Sequence, residues 1–162
     1  MSATPIIREA TREDVPLVLE FIRALAEYER LSHEVVATEE MLASALFGPR
    51  PVAEVLIATL ESEPAGFALY FHNFSTFLGR PGIYLEDLFV RPELRGNGVG
   101  RALLEALAAI ALDRGCGRLE WSVLDWNEPA IAFYRRLGAE AMSEWTVNRV
   151  TGDALVRLAR RS

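Results

Sequence analysis

Residues 84–107 read YLEDLFVRPELRGNGVGRALLEAL, and this stretch decides the fold. Its first seven residues are mostly apolar and are typical of a largely buried strand, which Arg91-Pro92 ends. Three glycines then alternate along the chain, and apolar residues at helical spacing follow them. The stretch therefore predicts a strand, a glycine-rich loop and a helix in immediate succession.

The spacing of the three glycines excludes the two best-known nucleotide-phosphate loops. The G-x-G-x-x-G pattern would need a glycine at position 101 or 103, where arginine and leucine stand, and the G-x-x-x-x-G-K-S/T pattern is absent from the sequence. A helix N-terminus still presents unpaired N–H groups and about half a positive charge. Glycines let an anion approach those groups, so a diphosphate is the favoured guest. The alternative is a glycine-rich turn kept for tight packing.

Strand and helix signals alternate on both sides of this loop. The helix between the strands at 82–90 and 118–124 requires a parallel, right-handed crossover, whereas the strands from 52 to 90 read as an antiparallel meander. We therefore predict an α/β fold with a mixed, twisted sheet, in a single domain over residues 1–162. Predicted helices cover 13–28, 38–46, 98–114, 128–137 and a short segment after Thr151, and predicted strands cover 6–10, 52–60, 65–74, 82–90, 118–124 and 145–150.

The composition restricts the classes of partner. With 51% hydrophobic and 25% charged residues, the 162-residue chain is typical of a globular protein. A formal net charge of −6 argues against nucleic acid, whose phosphates require a basic face, and it fits a cationic small substrate. The N-terminal residues lack the apolar core of a signal peptide, and no apolar run approaches the ~20 residues of a membrane span. We expect a cytoplasmic protein that binds neither nucleic acid nor a membrane.

Cysteine and histidine show no catalytic or metal-binding pattern. The single cysteine, Cys116, excludes an internal disulfide, suits a reducing compartment and is expected to be a small buried residue. His33 and His72 are isolated and have no metal-ligand spacing, so no metal is expected.

Three blocks of the sequence resemble one enzyme family. The pattern R-G-x-G-x-G, opening a helix after a strand that ends in LFV, is similar to the acetyl-CoA loop of the Gcn5-related N-acetyltransferases. Together with it, ALAEYE at 24–29, YLEDLFV at 84–90 and WNEPAIAFYRRLGA at 126–139 resemble the spermidine/spermine (diamine) acetyltransferases, a subgroup that includes enzymes acting on thialysine. The resemblance covers nearly the whole chain. It implies the acyl-CoA N-acyltransferase fold, acetyl-CoA as co-substrate and a homodimer.

The resemblance implies two catalytic residues. Glu86 would be the carboxylate that takes a proton from the amine, directly or through water, and Tyr134 would be the acid that protonates the thiol of coenzyme A. An alkyl ammonium has a pKa near ~10.4, so deprotonating it at pH 7 costs about 4–5 kcal/mol. The two side chains are expected on opposite sides of one cleft. The alternatives are a solvated strand charge for Glu86 and a packed aromatic for Tyr134.

The resemblance also implies binding residues. A strand splayed from its neighbour would offer the coenzyme free backbone groups, and carboxylates would hold the distal ammonium of a diamine. Glu29 and Glu144 are alternatively ordinary surface acids, and Trp121 packs the sheet, faces the amine, or both. The implied coenzyme contacts are Leu88, Phe89, Val90, Arg95, Gly96, Asn97, Gly98, Val99, Gly100, Arg101, Asn127 and Ala130. The implied amine contacts are Tyr28, Glu29, Glu86, Asp87, Glu120, Trp121, Ser122 and Glu144.

Two positions depart from the family pattern. Asp125 replaces a glutamate, and Ala130 stands where the mammalian spermidine enzymes carry a serine, which leaves the identity of the amine open. The leading hypothesis is acetyl transfer from acetyl-CoA to a primary amine of a diamine, polyamine or thialysine-like molecule, by direct attack in a ternary complex. Acetylation of a protein lysine or N-terminus, and coenzyme binding without catalysis, are the alternatives.

Overall fold

The computed structural model describes residues 3–160, which divide into one compact unit ending at Leu124 and a second beginning at Asp125. The second unit contains two helices, α4 (Glu128–Arg136) and α5 (Gly152–Ala159). The first unit contains β1 (Ile6–Glu9), α1 (Val15–Tyr28), α2 (Glu39–Phe47), β2 (Glu54–Leu60), β3 (Glu63–Ser75), β4 (Arg80–Val90), α3 (Val99–Asp113) and β5 (Leu119–Trp121).

The sheet of the first unit has the order β1-β2-β3-β4-β5. Its first four strands pair antiparallel, and β5 pairs parallel to β4. Helix α3 is the crossover between these two parallel strands, because a parallel connection must carry the chain back along the sheet. The predicted mixed α/β sheet, with its antiparallel meander and its parallel β-α-β unit, is therefore confirmed.

Apolar residues cover both faces of the central strands. On one face, Phe21 of α1 stacks on Phe67 of β3 with ring centroids 5.3 Å apart. The alternate residues of β2, Leu56 and Ala58, are also buried, and α3 packs against β2, β3 and β4. Because successive strand residues point to opposite faces, burial of both sets requires a layer of helix on each side of the sheet.

Two predicted strands differ from the structure. The strand predicted over 118–124 is limited to Leu119–Trp121. The strand predicted over 145–150 is wrong, since these residues are exposed and pair with no strand in the described part of the chain. Apolar and polar residues do alternate from Trp145 to Val147, but this alternation predicts only which face of a sheet each side chain would take. A strand also needs a hydrogen-bonded neighbour, which the local sequence cannot supply.

Candidate active site

The loop between β4 and α3 has an open, glycine-lined surface. Gly96 and Gly98 have φ angles of 83° and 80°, a region in which side chains other than glycine are strained. A Cβ built on either glycine would meet no atom within 4 Å, so the space above the backbone is free. Helix α3 begins at the next residue, Val99, and its first N–H groups have no partner within the helix. This geometry fits a diphosphate group.

Strand β4 carries a β-bulge at Glu86. Leu85 pairs with Tyr70 of β3 and Asp87 pairs with Leu69, so Glu86 is the extra residue of the bulge. Bulges re-aim a side chain and occur frequently beside active sites. The sequence contains no local sign of the bulge, since neither a glycine nor a proline marks it.

The sheet opens beside the same residue. The last pair that joins β4 to β5 is Leu85 with Trp121. In the described part of the chain, the edge of β4 from Glu86 to Val90 that faces away from β3 therefore has no strand partner. The pairing of β4 with β5 therefore ends at Leu85, and the contact of the β4 backbone beyond it with the coenzyme stays a prediction.

A cavity of about 400 Å³ lies next to the bulge. Its walls are apolar side chains of α1 and of the segment 31–37, and four carboxylates line it: Glu29, Glu34, Glu86 and Asp87. Glu29 and Asp87 are half-buried, whereas Glu34 and Glu86 lie at the exposed rim. None of the described lining residues is basic. The cavity thus combines a negative charge with a surface suited to a hydrocarbon chain.

Glu34 is a lining residue that the sequence analysis missed. It lies at the end of a single 3-10 turn after α1, Ser32–Glu34, where no periodic pattern singles out one acid among several. The sequence feature that could have indicated Glu34 is its place in the segment SHEVVA, where one carboxylate stands directly before an apolar run.

The end of α1 shapes this part of the cavity. The Leu31 N–H donates to the Ala26 carbonyl (2.7 Å) and the Arg30 N–H donates to the Glu27 carbonyl (3.1 Å), the pair of bonds that defines a Schellman motif. Arg30 takes the left-handed conformation, with φ 62°, that glycine usually supplies. The motif ends the helix directly after Tyr28 and turns the following segment back over the cavity.

Burial, together with neighbouring carboxylates, changes the pKa values of two acids in the cavity. Burial, followed by the negative charges of Glu86 and Glu29, raises the pKa of Asp87 from 3.8 to about 6. Burial also raises the pKa of Glu29. A cation in the cavity would favour the ionised carboxylates and lower both pKa values again.

This shift predicts a pH-dependent effect of Asp87→Asn on stability. Between about pH 4 and pH 6 the folded protein holds a proton on Asp87 that the unfolded chain releases, so the free energy of unfolding of the wild type falls as the pH rises. The raised pKa of Asp87 corresponds to a change of about 3 kcal/mol in the free energy of unfolding. We expect Asp87→Asn to gain stability relative to the wild type by up to this amount between pH 4 and pH 7, measured by urea unfolding. The other acids titrate in both proteins, so their contributions cancel when the variant is compared with the wild type. A difference in the free energy of unfolding that did not change with pH would contradict the raised pKa of Asp87.

The residues predicted around β5 do not line this cavity. The Asn73 amide donates to Glu120 (3.0 Å), and Arg118 forms an ion pair with the same carboxylate oxygen (3.0 Å). The Ser122 hydroxyl lies 2.7 Å from that of Tyr84. Glu120 therefore has a structural role in the sheet, and its contact with an amine, like those of Trp121 and Ser122, stays a prediction.

Side chains of the glycine loop contact the protein itself. The Arg95 Nε donates to the Val90 carbonyl (3.0 Å), and the Asn97 amide donates to the Leu94 carbonyl (2.9 Å). Arg101 forms an ion pair with Glu105, one helical turn away, at 2.8 Å. These contacts use the Nε of each arginine, and a contact of either guanidinium with an anion stays a prediction.

The second unit contains the remaining predicted residues. Asn127 caps α4 as predicted, because its side-chain oxygen accepts from the Ala130 N–H at 3.4 Å. Tyr134 lies on α4, is half-buried and packs against Phe133 at 5.6 Å between ring centroids. Glu144 lies in an exposed turn. The catalytic role of Tyr134 and the coenzyme and amine contacts assigned to this unit stay predictions.

Other features of the described residues concern chemistry outside this site. Cys116 is buried, as predicted. Residues 3–160 contain no group of three or more histidine, cysteine, aspartate or glutamate side chains arranged to hold a metal ion. Within the same residues, no helix combines the length and the apolar character of a membrane span.

Known proteins resemble this chain over most of its length. The thialysine N-epsilon-acetyltransferase of Bos taurus is 42% identical, over 95% of this chain and 96% of that protein. The L-ornithine N5-acetyltransferase of Arabidopsis thaliana is 38% identical, over 92% of this chain and 85% of that protein. A solved integron cassette protein from the mobile metagenome of V. cholerae has 31% identity and a TM-score of 0.79, with 99% of each chain covered.

The family assignment follows from these matches. The profile of the Acetyltransferase (GNAT) family matches residues 19–139. The resemblance deduced from the glycine loop and from the YLED and WNEP segments, including the thialysine enzymes of its subgroup, is confirmed. The chain belongs to the Acetyltransferase (GNAT) family and is an acetyl-CoA-dependent N-acetyltransferase that acts on amines.

Proposed function

We propose that the protein transfers acetyl from acetyl-CoA to a primary amine of a small cationic molecule, of the diamine, polyamine or thialysine type. The observation that carries this proposal is the cavity beside the Glu86 bulge, with its four carboxylates and apolar walls. A molecule with two ammonium groups joined by methylenes matches both features. Charge-assisted hydrogen bonds would hold the distal ammonium, and the apolar walls would accept the chain.

The acceptor residues have distinct proposed roles. Glu86, at the open edge of β4, takes the proton of the reacting amine directly or through water. Asp87 and Glu29, half-buried deeper in the cavity, hold the distal cation together with Tyr28 at the end of α1. Proposed amine contacts outside the cavity are Glu120, Trp121, Ser122 and Glu144.

The donor residues complete the proposed site. Acetyl-CoA supplies an activated thioester. Backbone groups of Leu88, Phe89 and Val90 hold the pantetheine arm, and the loop from Arg95 to Arg101 with its glycines Gly96, Gly98 and Gly100, and with Asn97 and Val99, holds the diphosphate. Asn127 and Ala130 make further coenzyme contacts.

We propose direct attack in a ternary complex. Glu86 takes one proton from the ammonium, directly or through water, and the neutral amine nitrogen then forms a bond to the acetyl carbon. The carbon–sulfur bond breaks, and the nitrogen releases its second proton to solvent. Tyr134 donates a proton to the departing sulfur and regains one from solvent. What supports a direct transfer is that the single cysteine, Cys116, is buried and so is a poor candidate for a covalent acetyl carrier.

The names of the relatives support the class of acceptor. Enzymes named for thialysine and for the N5 position of ornithine act on molecules that carry a primary amine at the end of a short chain and a second amino group. We further propose one catalytic domain over residues 1–162 and a cytoplasmic homodimer. The cytoplasmic location is supported by the single cysteine, and the dimer by the subgroup resemblance.

An acceptor panel tests the proposal. We expect acetyl-CoA turnover with 1,3-diaminopropane, 1,5-diaminopentane, spermidine, thialysine and ornithine, and at least tenfold lower kcat/KM with butylamine, which has no distal cation. Release of free thiol would be followed by absorbance. Equal activity on butylamine would contradict a role for the carboxylates in recognition. Activity confined to lysine-containing peptides would overturn the small-molecule assignment.

A further inference from the structure

Glu34 places a negative charge at the exposed rim of the acidic cavity. It ends the 3-10 turn Ser32–Glu34, and apolar lining residues follow it directly in the chain. Its side chain is 70% exposed, and the ring of His33 lies 3.4 Å from its carboxylate. At about pH 8 an ordinary imidazole is neutral, so this ring does not compensate the charge of Glu34. The rim is therefore negative under mildly alkaline conditions.

The interior of the cavity adds to this charge. Glu29 and Asp87 are half-buried there, and none of the described lining residues is basic. Repulsion acts on Asp87 itself, because the charges of Glu86 and Glu29, after burial, raise its pKa. A further carboxylate brought by a ligand would meet the same repulsion, since it too would lose part of its hydration beside like charges.

The acceptors named for two relatives contain such a carboxylate. Thialysine and ornithine are amino acids, so the carbon that bears the distal amino group also bears a carboxylate. A simple diamine has only hydrogen at that position. The two kinds of acceptor therefore differ in the one charge that this cavity repels.

We infer that the cavity selects diamines and polyamines against amino acids, and that Glu34 is the residue that sets this preference. The preference rests on the proposed function and narrows its class of acceptor. In a bound amino acid, the half-buried Glu29 and Asp87 would pair with the distal ammonium. The carboxylate beside that ammonium stays hydrated only toward the open rim, because burying it deeper without a cationic partner is costly. At the rim it meets the charge of Glu34.

Three acceptors with the same spacing between their amino groups test the preference. Ornithine, 1,4-diaminobutane and 2,5-diaminopentan-1-ol carry a carboxylate, a hydrogen and a hydroxymethyl group, respectively, on the distal carbon. We expect kcat/KM for 1,4-diaminobutane to exceed that for ornithine by at least about tenfold at about pH 8. The alcohol has the branch without the charge, so its kcat/KM should lie within about threefold of that for the diamine.

Charge reversal at the rim tests the role of Glu34. In Glu34→Arg the new guanidinium can pair with the carboxylate of ornithine, so the ratio of kcat/KM between diamine and ornithine should fall about tenfold or more. Glu34→Gln, which removes the charge and adds none, should give an intermediate ratio. Glu63→Arg is the matched control, because Glu63 is exposed at the start of β3 and does not line the cavity. Its ratio should stay within about twofold of the wild type, since solvent and salt screen distant exposed charges.

The outcomes separate this preference from the proposed function. An equal or higher kcat/KM for ornithine than for 1,4-diaminobutane would overturn the preference, and an alcohol as poor as ornithine would assign it to bulk rather than to charge. Equal ratios in Glu34→Arg and Glu63→Arg would overturn the role of Glu34. A wild-type protein that acetylates none of the three compounds would refute the proposed function. The Kd values of the three compounds, measured by calorimetry on protein saturated with coenzyme A, would then still test the preference.

Discussion

Tyr134→Phe is expected to lower kcat by about 100-fold or more and to leave the Kd of coenzyme A within about twofold of the wild type. The variant keeps the ring that packs against Phe133 and removes only the hydroxyl. General acid catalysis contributes typically 10²–10⁴-fold, so loss of the proton donor should act on turnover rather than on binding. Steady-state kinetics with a diamine and calorimetry with coenzyme A measure the two quantities.

Tyr70→Phe is the matched control for the loss of a tyrosine hydroxyl. Tyr70 is buried in β3, where burial raises its pKa to about 12, and its hydroxyl interacts with Arg114. We expect a small loss of stability and nearly unchanged kcat. If Tyr134→Phe turned over as fast as this control, Tyr134 would have no role as the acid, and the alternative of a packed aromatic would be correct.

Glu86→Gln is expected to lower kcat/KM for a diamine by about 100-fold at neutral pH. Glutamine keeps the size of the side chain at the bulge but cannot accept the proton of the ammonium. Each unit of pH increases the neutral fraction of an amine about tenfold below its pKa near ~10.4. The defect of the variant should therefore shrink as the pH rises from about 7 to 9, which a pH–rate profile would show.

Glu34→Gln is the control within the same cavity. Glu34 lines the rim but lies outside the bulge, so its loss should raise the KM of a diamine several-fold while kcat and its pH dependence stay unchanged. A Glu86→Gln profile that ran parallel to that of the wild type would contradict the role of Glu86 as a base. It would favour the alternative of a solvated strand charge.

The glycine loop illustrates what local sequence can predict. Alternating glycines between an apolar strand and a helical pattern restrict the backbone directly, and Gly96 and Gly98 have the positive φ angles that such a loop requires. The cap at Asn127 is equally local, since its oxygen reaches the N–H three residues later. Both features depend on residues a few positions apart, which explains why the local sequence was enough to predict them.

Features that require distant partners were not predictable in the same way. The strand proposed over 145–150 has the right alternation but pairs with no strand in residues 3–160. The bulge at Glu86 follows from the register between β3 and β4, and the cavity depends on α1 meeting β4. Glu34 is part of that cavity only because the segment after α1 turns back over it.

The sequence by itself determined the order of most elements, the parallel crossover, the donor loop and, through three short blocks, the family. These properties reside in periodicity, glycine spacing and caps, which act over a few residues. Only the tertiary structure decided where the sheet opens, that Glu86 occupies a bulge at the opening, and that Arg95 lies over Tyr28. Their physical reason is shared, because strand register and packing between distant segments set which groups meet, and neither is encoded in any one segment.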